Sequence, residues 1–109
     1  MTTVALLHGL GGTAATMAPL AEVLSRHGVR TTSLTLPGHG GTEHDLASAT
    51  WQQWLAAVPE ADVLVGQSMG ATLALVAAAA RGNAVRGVVA INPALADPDA
   101  AEGLEWQHS

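Results

Sequence analysis

Three short stretches of the chain combine residue types that could carry chemistry. The first is Gly66-Gln67-Ser68-Met69-Gly70, a serine framed by two glycines where an apolar run at 62–66 passes into a second at 69–81. Read as a strand turning straight into a helix, this puts Ser68 in a bend too tight for a Cβ at either flank. Its hydroxyl is then pushed out at the carboxyl edge of a sheet. The helix contributes the positive end of its dipole and its free N–H groups, which favour negative charge developing on a tetrahedral intermediate. Met69 N–H is the natural first donor. The second stretch, His8-Gly9-Leu10-Gly11-Gly12, follows another strand-like run, and its glycines let the backbone swing toward a substrate oxygen. Leu10 N–H is the candidate second donor. Two donors aimed at one site suit acyl transfer, where losing one of them costs about 10²–10³ in rate. The third stretch, Leu36-Pro37-Gly38-His39-Gly40, ends a further apolar run in a rigid turn.

The elements that must position these stretches alternate along the chain. Strands are expected at 4–8, 30–36, 62–66 and 85–92, with helical patterns between them, and such alternation favours a parallel sheet covered by helices. Pro19 suits a first helical position, Leu20, Val23 and Leu24 share a face, and Gly28 closes that helix. Residues 37–50 read as a polar loop. Trp51, Trp54, Leu55 and Val58 then recur at helical spacing before Pro59, with the two tryptophans expected on the sheet. The segment 69–81 is apolar nearly all round and is expected deep in the structure. After Pro93 the chain turns acidic and alanine-rich, so residues 1–93 read as one core and 94–109 as the start of a cap or following helix, cut short.

With these residues in hand, the chain resembles the α/β-hydrolase superfamily, in which a His-Gly loop, a Pro-Gly-His-Gly turn and a Gly-x-Ser-x-Gly elbow occur in this order. Within it, the sequence looks most like bacterial carboxylesterases and monoacylglycerol-lipase-like enzymes, because the elbow is followed by a strand ending Ile91-Asn92-Pro93-Ala94. The resemblance implies a partial α/β-hydrolase fold: about four parallel strands with helices on both faces, a three-layer αβα arrangement. It implies Ser68 as catalytic nucleophile, Leu10 and Met69 as oxyanion donors, a small-molecule carboxylic ester as substrate, and no cofactor or metal. The family's acid and histidine usually follow later strands that this sequence does not contain. The expectation is a truncated hydrolase, nearly inactive alone, and the alternative is a non-catalytic module that keeps the fold for binding or assembly.

The remaining polar residues have plainer readings. His8 ends a strand expected beside the one leading to Ser68, and it reads as an imidazole bracing its loop. His39 and His44 read as solvated or turn-stabilising, and His27 flanks a helix end where a cation is mildly favourable. His108 lies in the tail. Asp97 and Asp99 follow the last strand, where a minority of the superfamily places its acid; the plainer reading is a solvated turn around Pro98. Glu22, Glu60, Glu102 and Glu105 read as surface charges, and Asp62 starts its strand at the end away from Ser68. The pattern Gly9-x-Gly11-x-x-Ala14 satisfies a loose dinucleotide fingerprint. An acid should then close the second strand, where Pro37-Gly38-His39 stands instead.

Composition closes off other classes. Nine acids face four arginines for a net charge of −5, and lysine is missing, so neither nucleic acid nor an anionic membrane surface is an expected partner. Without cysteine there is no thiol nucleophile or thiolate metal site. The apolar run at 71–80 is about half of the ~20 residues a membrane span needs. Thr2-Thr3 leads directly into Val4 with neither a basic region nor a signal-length apolar segment, so a cytoplasmic placement is expected. At 109 residues, 49% of them hydrophobic, the chain can build one modest core. The strand expected at 85–92 would present unpaired backbone along one side, a route to self-association.

Overall fold

The computed structural model describes residues 2–39 and 50–93. Four strands form a single parallel sheet: β1 (Thr3–Leu7), β2 (Arg30–Leu34), β3 (Val63–Gln67) and β4 (Gly87–Ile91), in the order β2-β1-β3-β4. Three helices connect them: α1 (Ala18–Arg26), α2 (Trp51–Ala57) and α3 (Met69–Arg81). Each expected strand is present, with ends moved by one or two residues. β2 stops at Leu34 and leaves Thr35 and Leu36 to a loop, and β4 begins two residues late at Gly87 and ends one early at Ile91. The first helix begins earlier than Pro19 suggests. A 3-10 turn over Ala14–Met17, opened by a Thr13 capping box, runs directly into α1.

Burial explains the strand order. Successive side chains of a strand point to opposite faces, and β1 buries both. Ala5 and Leu7 join Leu64, Leu73, Ala74 and Ala77 on the face covered by α2 and α3. Val4 and Leu6 join Val65 and Met17 on the face covered by α1. A strand apolar on both sides belongs in the middle of a parallel sheet. The polar β2, Arg-Thr-Thr-Ser-Leu, goes to one edge, paired Thr3↔Arg30 through Leu7↔Leu34. At the other edge β4 packs Val88 toward α3, while Val89 is 50% exposed on the face that α1 does not reach.

The helix α3 corrects one expectation. Gly70, Ala71, Leu73, Ala74 and Ala77 are buried as foreseen, but Leu75 and Val76 face outward. Thr50 caps α2 reciprocally: its hydroxyl accepts from Gln53 N at 3.1 Å, and the Gln53 amide oxygen accepts from Thr50 N at 2.8 Å. Arg81, at the end of α3, donates to the Val58 and Pro59 carbonyls at 2.7 and 2.9 Å and so ties the exit of α2 to α3. Among the described residues no helix is long and apolar enough to cross a membrane. The segment 94–109, expected as a cap or following helix, lies outside the described residues.

Candidate functional site

The strand order creates the crevice in which the candidate residues meet. From β1 the chain crosses to β2 on one side, whereas β3 pairs on the other side of β1 and hands on to β4. Loops leaving the carboxyl ends of β1 and β3 therefore diverge toward opposite faces, and the gap between them is where parallel α/β sheets bind ligands. Residues 8–12 and Ser68 both emerge there. A Cβ built on Gly9 would lie 3.2 Å from Ser68 Cβ and 3.8 Å from its Oγ. The first glycine loop and the serine turn are thus in contact.

Ser68 is the cap of α3 and has φ 56° and ψ −117°, a left-handed conformation that side chains with a Cβ rarely adopt. Its surroundings hold it there. Its N–H donates to the Ile91 carbonyl at 2.8 Å, and its own carbonyl accepts from Ala71 and Thr72 at 3.0 and 3.3 Å. The flanking glycines are demanded by close approach. A Cβ at Gly66 would meet the Gly70 carbonyl, and one at Gly70 would meet the carbonyls of Leu7 and His8. With both Cβ atoms missing, α3 starts against the ends of β1 and β3, and the Ser68 side chain is left exposed. Among the described residues no hydrogen bond reaches Ser68 Oγ, Met69 N–H or Leu10 N–H. Leu10 itself is 63% exposed.

His8 is fully buried, and both ring nitrogens are engaged. Nε2 accepts from Leu36 N at 2.9 Å, so it carries no hydrogen; Nδ1 therefore carries it and donates to the Gly9 carbonyl at 2.7 Å. Burial pushes its pKa below the ordinary histidine value of 6.5, opposed by the Gly9 bond and assisted by His39. This is a neutral, loop-bracing imidazole. His39 departs from its solvated reading, since only 4% of it is exposed. Its ring lies edge-on to His8 at 4.8 Å and 6.0 Å from Trp54, with Nδ1 3.3 Å from the Pro37 carbonyl and a buried Nε2. Trp54 Nε1–H donates to that same carbonyl at 2.8 Å. Sequence reading missed this edge-on ring cluster; the aromatic spacing of Trp51 and Trp54 was its only trace.

Other candidates lie elsewhere. His27 caps the exposed end of α1, and Glu22 pairs with Arg26 at 3.3 Å on its surface. Asp62 sits just before β3, at the opposite edge of the sheet from Ser68. There it accepts from Thr3 N and Oγ1 at 2.9 and 3.2 Å, bonds that hold its carboxyl below the usual range. A cavity of about 500 Å³ opens at that edge between Glu60, Asp62, Arg81 and Val85. Its Arg81 is committed to backbone carbonyls and its Asp62 to Thr3, so it has no free reactive pair. Among the described residues no cluster of histidines and acids could hold a metal ion. His44, Asp97, Asp99, Glu102, Glu105 and His108 lie outside the described residues.

Comparison with known proteins gives this arrangement a context. The chain is 34% identical over 111 residues to a thermostable monoacylglycerol lipase of Bacillus sp. (strain H-257), covering 93% of this chain and 44% of that protein. Among solved structures it is similar to a Paleococcus ferrophilus monoacylglycerol lipase, with a TM-score of 0.80 and 27% identity, over 96% of this chain and 45% of the other. It is also similar to a thioesterase domain from the curacin biosynthetic pathway, with a TM-score of 0.78 and 25% identity, over 97% and 43%. The chain thus spans less than half the length of these relatives. The family model described as "Alpha/beta hydrolase family" matches residues 4–109, and with that match over nearly its whole length the chain belongs to the alpha/beta hydrolase family.

Proposed function

We propose that Ser68 is the nucleophile of a carboxylic-ester hydrolase of the esterase and lipase kind, with Leu10 N–H and Met69 N–H stabilising the oxyanion. The observation that carries this reading is the left-handed Ser68, exposed at the crevice with its Oγ beside Gly9. The serine would attack the ester carbonyl, release the alcohol, and form an acyl-enzyme that water then opens. Monoacylglycerol lipase relatives favour a small ester as substrate. None of the three described histidines is hydrogen-bonded to Ser68, and both nitrogens of His8 are engaged. Loss of the partner base costs about 10⁶ in turnover in a well-studied serine protease, so slow turnover is expected of this chain alone.

Hydrolysis of short p-nitrophenyl esters by the chain and by its Ser68→Ala variant tests the proposal. A slow rate or acylation burst that disappears in the variant supports it. Equal rates favour a non-catalytic module built on the same fold. Among the described residues β4 has no strand partner along its outer edge, and beside that edge Val89 and Ile91 lie exposed on one sheet face, together offering a surface for self-association. Sedimentation should show assemblies that Val89→Lys weakens, and a monomer at all concentrations would contradict this.

A further inference from the structure

We infer that the direction of the Leu10 N–H is set from across the site by a hydrogen-bonded relay running from Trp54 through the loop after β2 to His8 and the Gly9 carbonyl, so that His8 and Trp54 are positioning residues. The functional meaning of this rests on the Ser68 proposal, but the geometry can be tested without it.

The argument begins at one peptide unit. The Gly9 carbonyl and the Leu10 N–H belong to the same group, and a trans peptide points them in opposite directions. That carbonyl is held twice, by His8 Nδ1–H at 2.7 Å and by Gly12 N–H at 3.0 Å. With its oxygen fixed toward these donors, the unit must present the Leu10 N–H on the other side, where Leu10 is exposed and the Gly9 backbone lies against Ser68. A donor aimed before substrate arrives needs no reorganisation during reaction.

His8 can hold the carbonyl only in the tautomer with hydrogen on Nδ1, and the Leu36 N–H imposes that tautomer by donating to Nε2. Leu36 is followed by Pro37, whose carbonyl receives the Trp54 indole N–H from α2 at 2.8 Å. The rings of Trp54, His39 and His8 meet in sequence, tilted at 6.0 Å and edge-on at 4.8 Å, between α2 and the first loop. Protonating His8 would set a second N–H against that of Leu36, breaking the link between the two loops. Among the described residues His39 is the one titratable neighbour acting on His8, and its effect disfavours the protonated His8 ring.

The test is heteronuclear NMR on the full chain labelled with ¹⁵N. The expected result is a His8 ring protonated on Nδ1 and bare on Nε2 at neutral pH, with the Leu10 amide signal moving together with the His8 titration as pH falls. Three variants separate positioning from bulk stability. His8→Gln keeps an acceptor near the Nε2 position and loses the donor to Gly9, so the Leu10 amide should shift. His8→Asn keeps a donor at the Nδ1 position and should largely restore the Leu10 signal. Trp54→Phe keeps the ring packing, removes one N–H, and should shift both the His8 ring and the Leu10 amide while Leu20 on α1 stays put. The opposite tautomer in the native chain, or a Leu10 amide unmoved by Trp54→Phe, would overturn the relay. Should His8→Gln fail to fold, the native tautomer and Trp54→Phe still decide. A chain that obeys the relay while Ser68 never acylates retains this inference and loses the proposed reaction; Ser68-dependent acylation with an indifferent Leu10 amide does the reverse.

Discussion

Ser68 is held at a positive φ of 56° that costs of order 1–3 kcal/mol for a residue with a Cβ, and the bond from its N–H to Ile91 together with the start of α3 sustains it. Two changes at this turn should act in opposite directions. Ser68→Gly removes the Cβ that makes the conformation unfavourable and should raise stability by up to about 1 kcal/mol in urea denaturation. Gly70→Ala drives a methyl into the Leu7 and His8 carbonyls, which cannot rotate away, and should cost about 3 kcal/mol or more, or prevent folding. The turn was legible from five consecutive residues because Ser68 and Gly66 answer to the bend itself, whereas Gly70 answers to the Leu7 and His8 carbonyls of the neighbouring strand and loop. The burial of His39 was not legible, since it depends on Trp54 and His8, which reach the same point only after the sheet and α2 have assembled.

At the scale of elements, strand and helix order followed from alternating apolar runs, whereas the inward side of α3 did not. A helix composed as evenly as α3, largely alanine with leucine and valine, carries little information about its buried face. The sheet decides it, by offering Leu64 and Ala5 to Leu73 and nothing to Leu75. Leu73→Ala should therefore cost about 2–5 kcal/mol through the cavity it leaves. Leu75→Ala, at a site 40% exposed, should cost well under half as much. Chemical denaturation of the two variants checks the pair, and equal losses would mean that the burial pattern is misassigned. Strand ends were displaced for a related reason: β2 stops at Leu34 because the Leu36 N–H is taken by His8 instead of continuing the strand.

For the molecule as a whole, proton binding couples stability to acidity in one direction. His8 has its pKa lowered from 6.5 in the folded state, so below pH 6.5 the unfolded chain binds the proton more readily than the native one. Its contribution is complete above 6.5 and is lost as pH falls through the folded value. The Asp62 carboxyl, lowered from 3.8, likewise contributes above that value and loses its effect as acid protonates it. Thermal melts should give a midpoint level above about pH 6.5 and falling below it, with a further decline under about pH 4. His8→Gln should flatten the first of these declines, and an unchanged profile would show that another group is responsible.

The bond between Ser68 N–H and the Ile91 carbonyl also bears on how the protein is made. Synthesis proceeds from the amino end, so the serine bend is made before the strand that tethers its amide. A nascent chain halted ahead of residue 91 would have the glycines and the helix but nothing to grip that amide. The bend therefore lacks this tether until the fourth strand is free to pair.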